Sequence, residues 1–295
     1  MEIRNYPTVA QANIMFFFTA VATLLGSMFF QPKLGIGTNL WINEFVYILL
    51  PPVLLAYVYG WSFEDVYRYK KTSKKNQLLS IVSGAGLWFF MFYISIITRM
   101  LLDRKVGIII NPGQASLSVN QNLLLIIGMI VLAPICEETF FRGCIQKSYE
   151  GYKKRIGFII TGIIFGSYHI LNGISEVIPA TILGICMGYL VYRTDSITTS
   201  ILFHVAVNAC AVFLGGSIGS ATATGIPIWL HILAISGLLT SMILLPRIES
   251  EHHREEPNDE ERLSVLGIVF LGLSALFLLS IGVLEILTRL NIVKT

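Results

Sequence analysis

The sequence predicts an all-α fold, a polytopic membrane helix bundle of about eight to nine transmembrane helices. Three observations predict it. Of the 295 residues, 54% are hydrophobic and 13% are charged, against about 25% charged in a soluble domain. The mean hydropathy is +0.71. Apolar runs of the length that spans a bilayer, about 20 residues at about 1.5 Å each, recur along the whole chain. This composition excludes a soluble enzyme with one large core. The net charge of +3 is small, and no nucleic-acid partner is expected.

The spans can be taken in order. The first covers about Gln11 to Phe30, long enough to be a span rather than a cleavable signal. The second covers Leu40 to Tyr59, with Pro51-Pro52 expected to kink it. A basic loop with Arg68, Lys70, Lys71, Lys74 and Lys75 precedes the third, Leu78 to Thr98. A polar connection with Asn111-Pro112-Gly113 leads to the fourth, which starts near Ser118. The fifth (Arg155 to Leu171), sixth (Val177 to Tyr192) and seventh (Ser196 to Leu214) follow closely. Small residues from Gly215 to Gly225 lead to the eighth, Ile226 to Leu245. A charged linker, 246–262, separates a last span, Leu263 to Leu287. Gly162-xxx-Gly166 and Gly184-xxx-Gly188 have the small-xxx-small spacing of close helix contacts, and packing alone is expected of them.

Nine alternating spans place the basic residues by side. Fifteen of the 21 Lys and Arg fall on the side of the Arg68–Lys75 loop and six on the other, counting Arg142 with the first. Cytoplasmic loops carry such an excess, so the N-terminus is expected in the cytoplasm and the C-terminus outside. The chain divides into N-terminal helices (1–117), a core (118–245), the charged cytoplasmic linker (246–262) and an additional C-terminal helix (263–295). The four cysteines all fall in spans and form no CxxC pair, so neither a zinc ribbon nor a disulfide framework is indicated.

Cys136-Glu137-Glu138-Thr139-Phe140-Phe141-Arg142-Gly143 interrupts the fourth span. Each charge at mid-membrane costs roughly 2.5 to 3.5 kcal/mol on insertion scales, so three within six residues mark a site facing a cavity. Two further fragments repeat the spacing of four that puts residues on one helix face: Phe165-xxx-His169 and His204-xxx-Asn208. Glu138 can pair with Arg142 on its own helix. If the chain turns near Glu150-Gly151, Glu137 and His169 lie equally far from the turn, with their midpoint at residue 153. The three fragments can therefore meet inside the membrane, in the half nearer the cytoplasm, and the site is expected to be wet and reached from that side. Blander readings fit the other polar residues. His231 is expected to be an interhelical hydrogen-bonder, Glu285 and Arg289 a local interfacial pair, Glu44 interfacial and His252-His253 solvated.

A carboxylate and a histidine can share general-base work on a water. A second histidine and an asparagine amide can donate to an oxyanion. Together these are the parts of amide hydrolysis without a serine or cysteine nucleophile. Glu with two His is also a zinc set, although no HExxH helix is present.

The ordered trio EExxxR, FxxxH and HxxxN resembles the CPBP family of intramembrane endopeptidases, which includes type II CAAX prenyl endopeptidases and bacterial bacteriocin-processing and self-immunity proteins. The resemblance covers about Ser118 to Leu214, and the last span looks like an addition to the usual eight helices. It implies a conical catalytic cavity, with Glu137 activating water, His169 assisting, and His204 and Asn208 holding the oxyanion. Glu138, Arg142 and Phe165 would support them. It implies a membrane-associated peptide or protein substrate, of prenylated CAAX or leader-peptide type, cut at the lipid bilayer. No cofactor is required in this reading; the alternative is Zn2+ held by Glu137, His169 and His204. Two other classes stay open: a proton-coupled permease, since buried Glu and His also form proton relays, and a catalytically idle immunity protein. The chain lacks the evident inverted repeats of many transporters.

Overall fold

The computed structural model describes residues 6–108, 119–153, 155–222, 225–249 and 263–292. The Asn111-Pro112-Gly113 connection, the start of the fourth span at Ser118, His252-His253 and most of the charged linker lie outside the described residues.

Among the described residues, eight helices are long and apolar enough to cross a membrane, and a shorter apolar segment spans Gly157–Asn172. The long ones are α1 (Val9–Leu34), α2 (Ile36–Tyr59), α3 (Lys74–Val106), α4 (Val119–Tyr152), α6 (Val177–Thr194), α7 (Ile197–Ala221), α8 (Ile228–Leu244) and α9 (Val265–Arg289). The short one, α5 (Gly157–Tyr168), ends in a 3-10 turn at His169–Asn172. The helices start where the sequence supplies caps. Thr8 forms a capping box with Gln11, and Ser73, Ser196 and Ser264 accept the first free backbone N–H groups of α3, α7 and α9. Their outer faces expose Leu, Ile, Val and Phe, as a lipid-facing surface requires.

Close packing sets the core. α5 and α6 form a tight antiparallel pair, α3 packs on α7 and α8, and α9 packs along α1. A methyl group on Gly162 would strike the Ile185 backbone, and one on Gly166 would strike Thr181. Gly184 and Gly188 do more than pack: their carbonyls accept hydrogen bonds from Arg142 and Gln146 of α4. α4 ends at Tyr152 and α5 starts at Gly157, so the break between them lies slightly past the turn expected near Glu150-Gly151 and keeps Glu137 and His169 level.

Three stretches are π-helical, and two of them hold a buried charge, Glu44 and Arg142. α2 is π-helical at Asn43–Leu49, just before Pro51-Pro52, and α4 is π-helical at Gly128–Leu132 and Thr139–Ile145. Such π-bulges occur frequently at functional sites. A polar ladder runs down one face of α4 at intervals of four: Glu138, Arg142, Gln146 and Glu150. At its foot, Arg68 donates to Glu150 at 2.7 Å, and Lys70 binds Asp195 at 2.6 Å. This network ties the basic loop to the ends of α4 and α6 and closes that end of the bundle. Arg142, counted above with the cytoplasmic cations, is fully buried in the interior.

One bland reading is extended and another needs correction. Glu285 and Arg289 do form the expected local pair, at 2.8 Å, and both also reach beyond α9. Arg289 also reaches Asp103 at 2.7 Å and the Gly107 carbonyl, and Glu285 accepts the Ile174 N–H at 2.7 Å. α9 thereby fastens the end of α3 and the loop after His169. Glu44 is not interfacial either: it is 3% exposed, inside the bundle. His231 does bond between helices, to the Tyr93 hydroxyl at 2.8 Å.

Candidate active site

The two adjacent glutamates of α4 have opposite surroundings. Glu138 is fully buried and saturated. Its Oε1 accepts from Arg142 Nη1 at 2.8 Å and from His204 Nδ1 at 3.0 Å, and its Oε2 accepts from the Ser200 hydroxyl. Glu137, 8% exposed, has no side-chain partner for its Oε2 except His204 Nε2 at 3.9 Å, beyond hydrogen-bond length.

Both histidines are fixed by their Nδ1. A carbonyl oxygen can only accept, so His169 Nδ1–H donates to the Phe165 carbonyl at 2.9 Å, and Nε2 carries the free lone pair. That bond forms because α5 ends there, which leaves the Phe165 carbonyl near a side chain four residues on. His204 Nδ1–H likewise faces the Glu138 carboxylate, which turns Nε2 toward Glu137. The Phe165 ring sits between them: its centroid is 4.5 Å from His169 and 6.0 Å from His204, and the Arg142 guanidinium lies 4.3 Å over its face. Phe165 is a packing post for the site. The Asn208 amide donates one N–H to the Met129 carbonyl at 2.7 Å, in the π-helical turn of α4, and keeps the other.

Two voids meet here. One, about 810 Å³, runs between α3, α6 and α7; the other, about 550 Å³, between α1, α2 and α4. His169, Glu176, His204 and Asn208 line both, and Glu137 lines the smaller. The sequence-predicted site residues are thus brought to one place. Ser200 and Glu176 were missed. Ser200 stands four before His204 on the same face, a spacing that was there to be read; Glu176 ends a short 3-10 turn before α6 and gave no periodic signal.

The two voids reach toward one end of the bundle. Arg99 and Asp103 near the end of α3, Gln31 near the end of α1 and Thr222 after α7 line the two voids. All lie at the end away from the Arg68–Lys75 loop. Toward the basic loop, Thr139, Arg142 and Gln146 are buried in solid packing.

The zinc alternative needs three donors within about 2.0–2.2 Å of one point. Among the described residues no three His, Cys, Asp or Glu side chains converge in that way. Glu137, His169 and His204, as placed, do not fit the ion.

Comparison with known proteins agrees with the geometry. Residues 119–210 match the family described as type II CAAX prenyl endopeptidase Rce1-like. UPF0177 protein YaiF of Lactococcus lactis subsp. lactis (strain IL1403) is 24% identical over 180 residues, covering 56% of this chain and 76% of that protein. No solved structure matches. The matched segment holds every residue of the constellation, from Glu137 to Asn208, and over this segment the chain is similar to that family.

Proposed function

We propose that the chain is an intramembrane endopeptidase that hydrolyses a peptide bond with a water activated by Glu137. The asymmetry of the two glutamates carries the reading. Glu138 has spent its lone pairs on Arg142, His204 and Ser200, whereas Glu137 keeps an unpartnered oxygen beside His204 Nε2. A water held by Glu137 and the His169 Nε2 lone pair gives its proton to Glu137 and attacks the scissile carbonyl. The oxyanion receives hydrogen bonds from His204 Nε2–H and from the second amide N–H of Asn208. The Glu138 carboxylate at Nδ1 stabilises the doubly protonated imidazole that this requires. When the C–N bond breaks, the proton taken from water passes to the leaving amine. The permease reading is weaker, because Thr139, Arg142 and Gln146, on the basic side of Glu138, are buried.

Asn208→Ala is expected to lower kcat by about 10² to 10³, as for a lost oxyanion donor, with a smaller effect on KM. Purified protein stripped with a chelator, its metal content checked by elemental analysis, is expected to keep full cleavage activity on a membrane-peptide library. Stoichiometric zinc, lost together with activity in His169→Ala and His204→Ala, would return both histidines to the role of ligands.

The basic end is cytoplasmic by the positive-inside rule, so the site opens to the opposite side. That direction supports a leader-type peptide presented outside the cytoplasm over a cytoplasmic prenylated tail. In a cysteine-free background, Gln31→Cys and Arg99→Cys are expected to react with a membrane-impermeant thiol reagent in right-side-out vesicles, and Lys71→Cys only in inside-out vesicles. The reverse pattern would put the opening in the cytoplasm.

A further inference from the structure

The smaller void has a wall built of acceptors. Glu44 Oε2 and Asn39 Oδ1, on side chains 3% and 4% exposed, are buried without hydrogen-bond partners. Asn43 Oδ1 and Glu137 Oε2 are unpartnered as well. All four residues line this one void. Asn39 and Asn43 both donate their Nδ2–H to Ser27 Oγ, at 3.0 and 2.9 Å. Their oxygens are thereby left over. The wall also carries Glu176, whereas no Lys or Arg lines it among the described residues. Unpaired buried acceptors cost about 1 to 3 kcal/mol each, more when charged. Apart from Glu137, which holds the attacking water, Asn39, Asn43 and Glu44 present such oxygens to this void, and no protein donor meets them. π-Helical geometry at Asn43–Leu49 brings Asn43 and Glu44 to this wall, and the same segment packs against Ala133–Glu138.

We infer that Asn39, Asn43 and Glu44 form a specificity pocket that takes a basic side chain, Lys or Arg, of the peptide next to the bond being cut. This rests on the proteolytic reading above. The size of the void decides between a side chain and a bare ion. A hard cation is caged by six to eight oxygens at about 2.3 to 2.6 Å, whereas about 550 Å³ has room for a long side chain. The void is continuous with Glu137, His169, His204 and Asn208, so a residue seated there sets the backbone across the catalytic groups. Its charge meets two carboxylates out of water, where a cation is otherwise costly.

The test has two arms on purified full-length protein in detergent. In the first, agmatine, a soluble guanidinium amine, is expected to raise the Tm of the wild type, and the shift is lost in Glu44→Gln and in Asn39→Ala. Calcium or sodium giving the Glu44-dependent shift in its place would make the wall a metal site and overturn the inference, as would no shift with any of them. In the second, a cleaved library peptide is remade with Lys or the neutral norleucine at each position flanking the cut bond. At one position Lys is expected to raise kcat/KM by about 10²-fold, the scale of a buried charge pair, and in Glu44→Gln the ratio falls toward one. A ratio near one at every position, or one that survives in Glu44→Gln, overturns the inference while Glu137-dependent cleavage still stands. If the wild type cuts nothing, the proteolytic reading fails, and the agmatine arm alone decides whether the wall binds a cation.

Discussion

Purified Glu137→Gln protein is expected to lose about 10² to 10⁴ in kcat, the range of a general base, with its Tm unchanged. The amide has nearly the same shape and can occupy the same place at the cavity wall. It cannot take the proton of the attacking water. The structure gives a reason to expect no cost in stability: Glu137 Oε2 makes no side-chain hydrogen bond to lose, and replacing an unpartnered buried carboxylate with a neutral amide relieves desolvation. Loss of activity with retained or slightly raised Tm is therefore the signature. A variant that keeps more than about a tenth of wild-type activity would take the base role from Glu137. His169→Ala is the companion measurement, because its Nε2 faces the same void while its Nδ1 only fastens the ring to Phe165.

Hydropathy made most of the fold legible in the sequence. Each of the nine segments is found within a few residues of its expected place, from Val9–Leu34 to Val265–Arg289, because a lipid-facing helix must be apolar over its whole length. The i, i+4 spacing also brought Glu138 to Arg142 correctly, since both sit on one face of α4. Three things were not legible. The π-helical turns leave no trace in composition, yet they place Glu44, Met129 and Arg142. Long-range partners cannot be read from a local period: Arg289 with Asp103 and Glu285 with Ile174 join segments more than 100 residues apart. The side on which the voids open depends on how completely each end is packed. Charge counting bears on the orientation of the chain and says nothing about where the bundle is hollow.

Glu138→Gln is expected to fail in a different way from its neighbour. The Arg142 guanidinium, fully buried, would be left without a counter-charge, and breaking a buried pair by removing one partner costs about 3 to 5 kcal/mol. That is a large part of the roughly 5 to 15 kcal/mol that holds a typical domain together, so a marked fall in Tm or in folded yield is expected. Activity falls too, since the oxygen that holds His204 Nδ1–H loses its charge. The two losses can be separated by removing the stranded cation. In Glu138→Leu/Arg142→Met the buried pair is replaced by apolar side chains, a change that is often neutral or stabilising. The double variant is expected to recover most of the Tm lost by Glu138→Gln and none of the activity, because nothing then orients His204 toward Glu137. Recovery of both would mean that Glu138 matters only as the partner of Arg142. A Glu138→Gln protein with wild-type Tm and kcat would remove it from the site altogether.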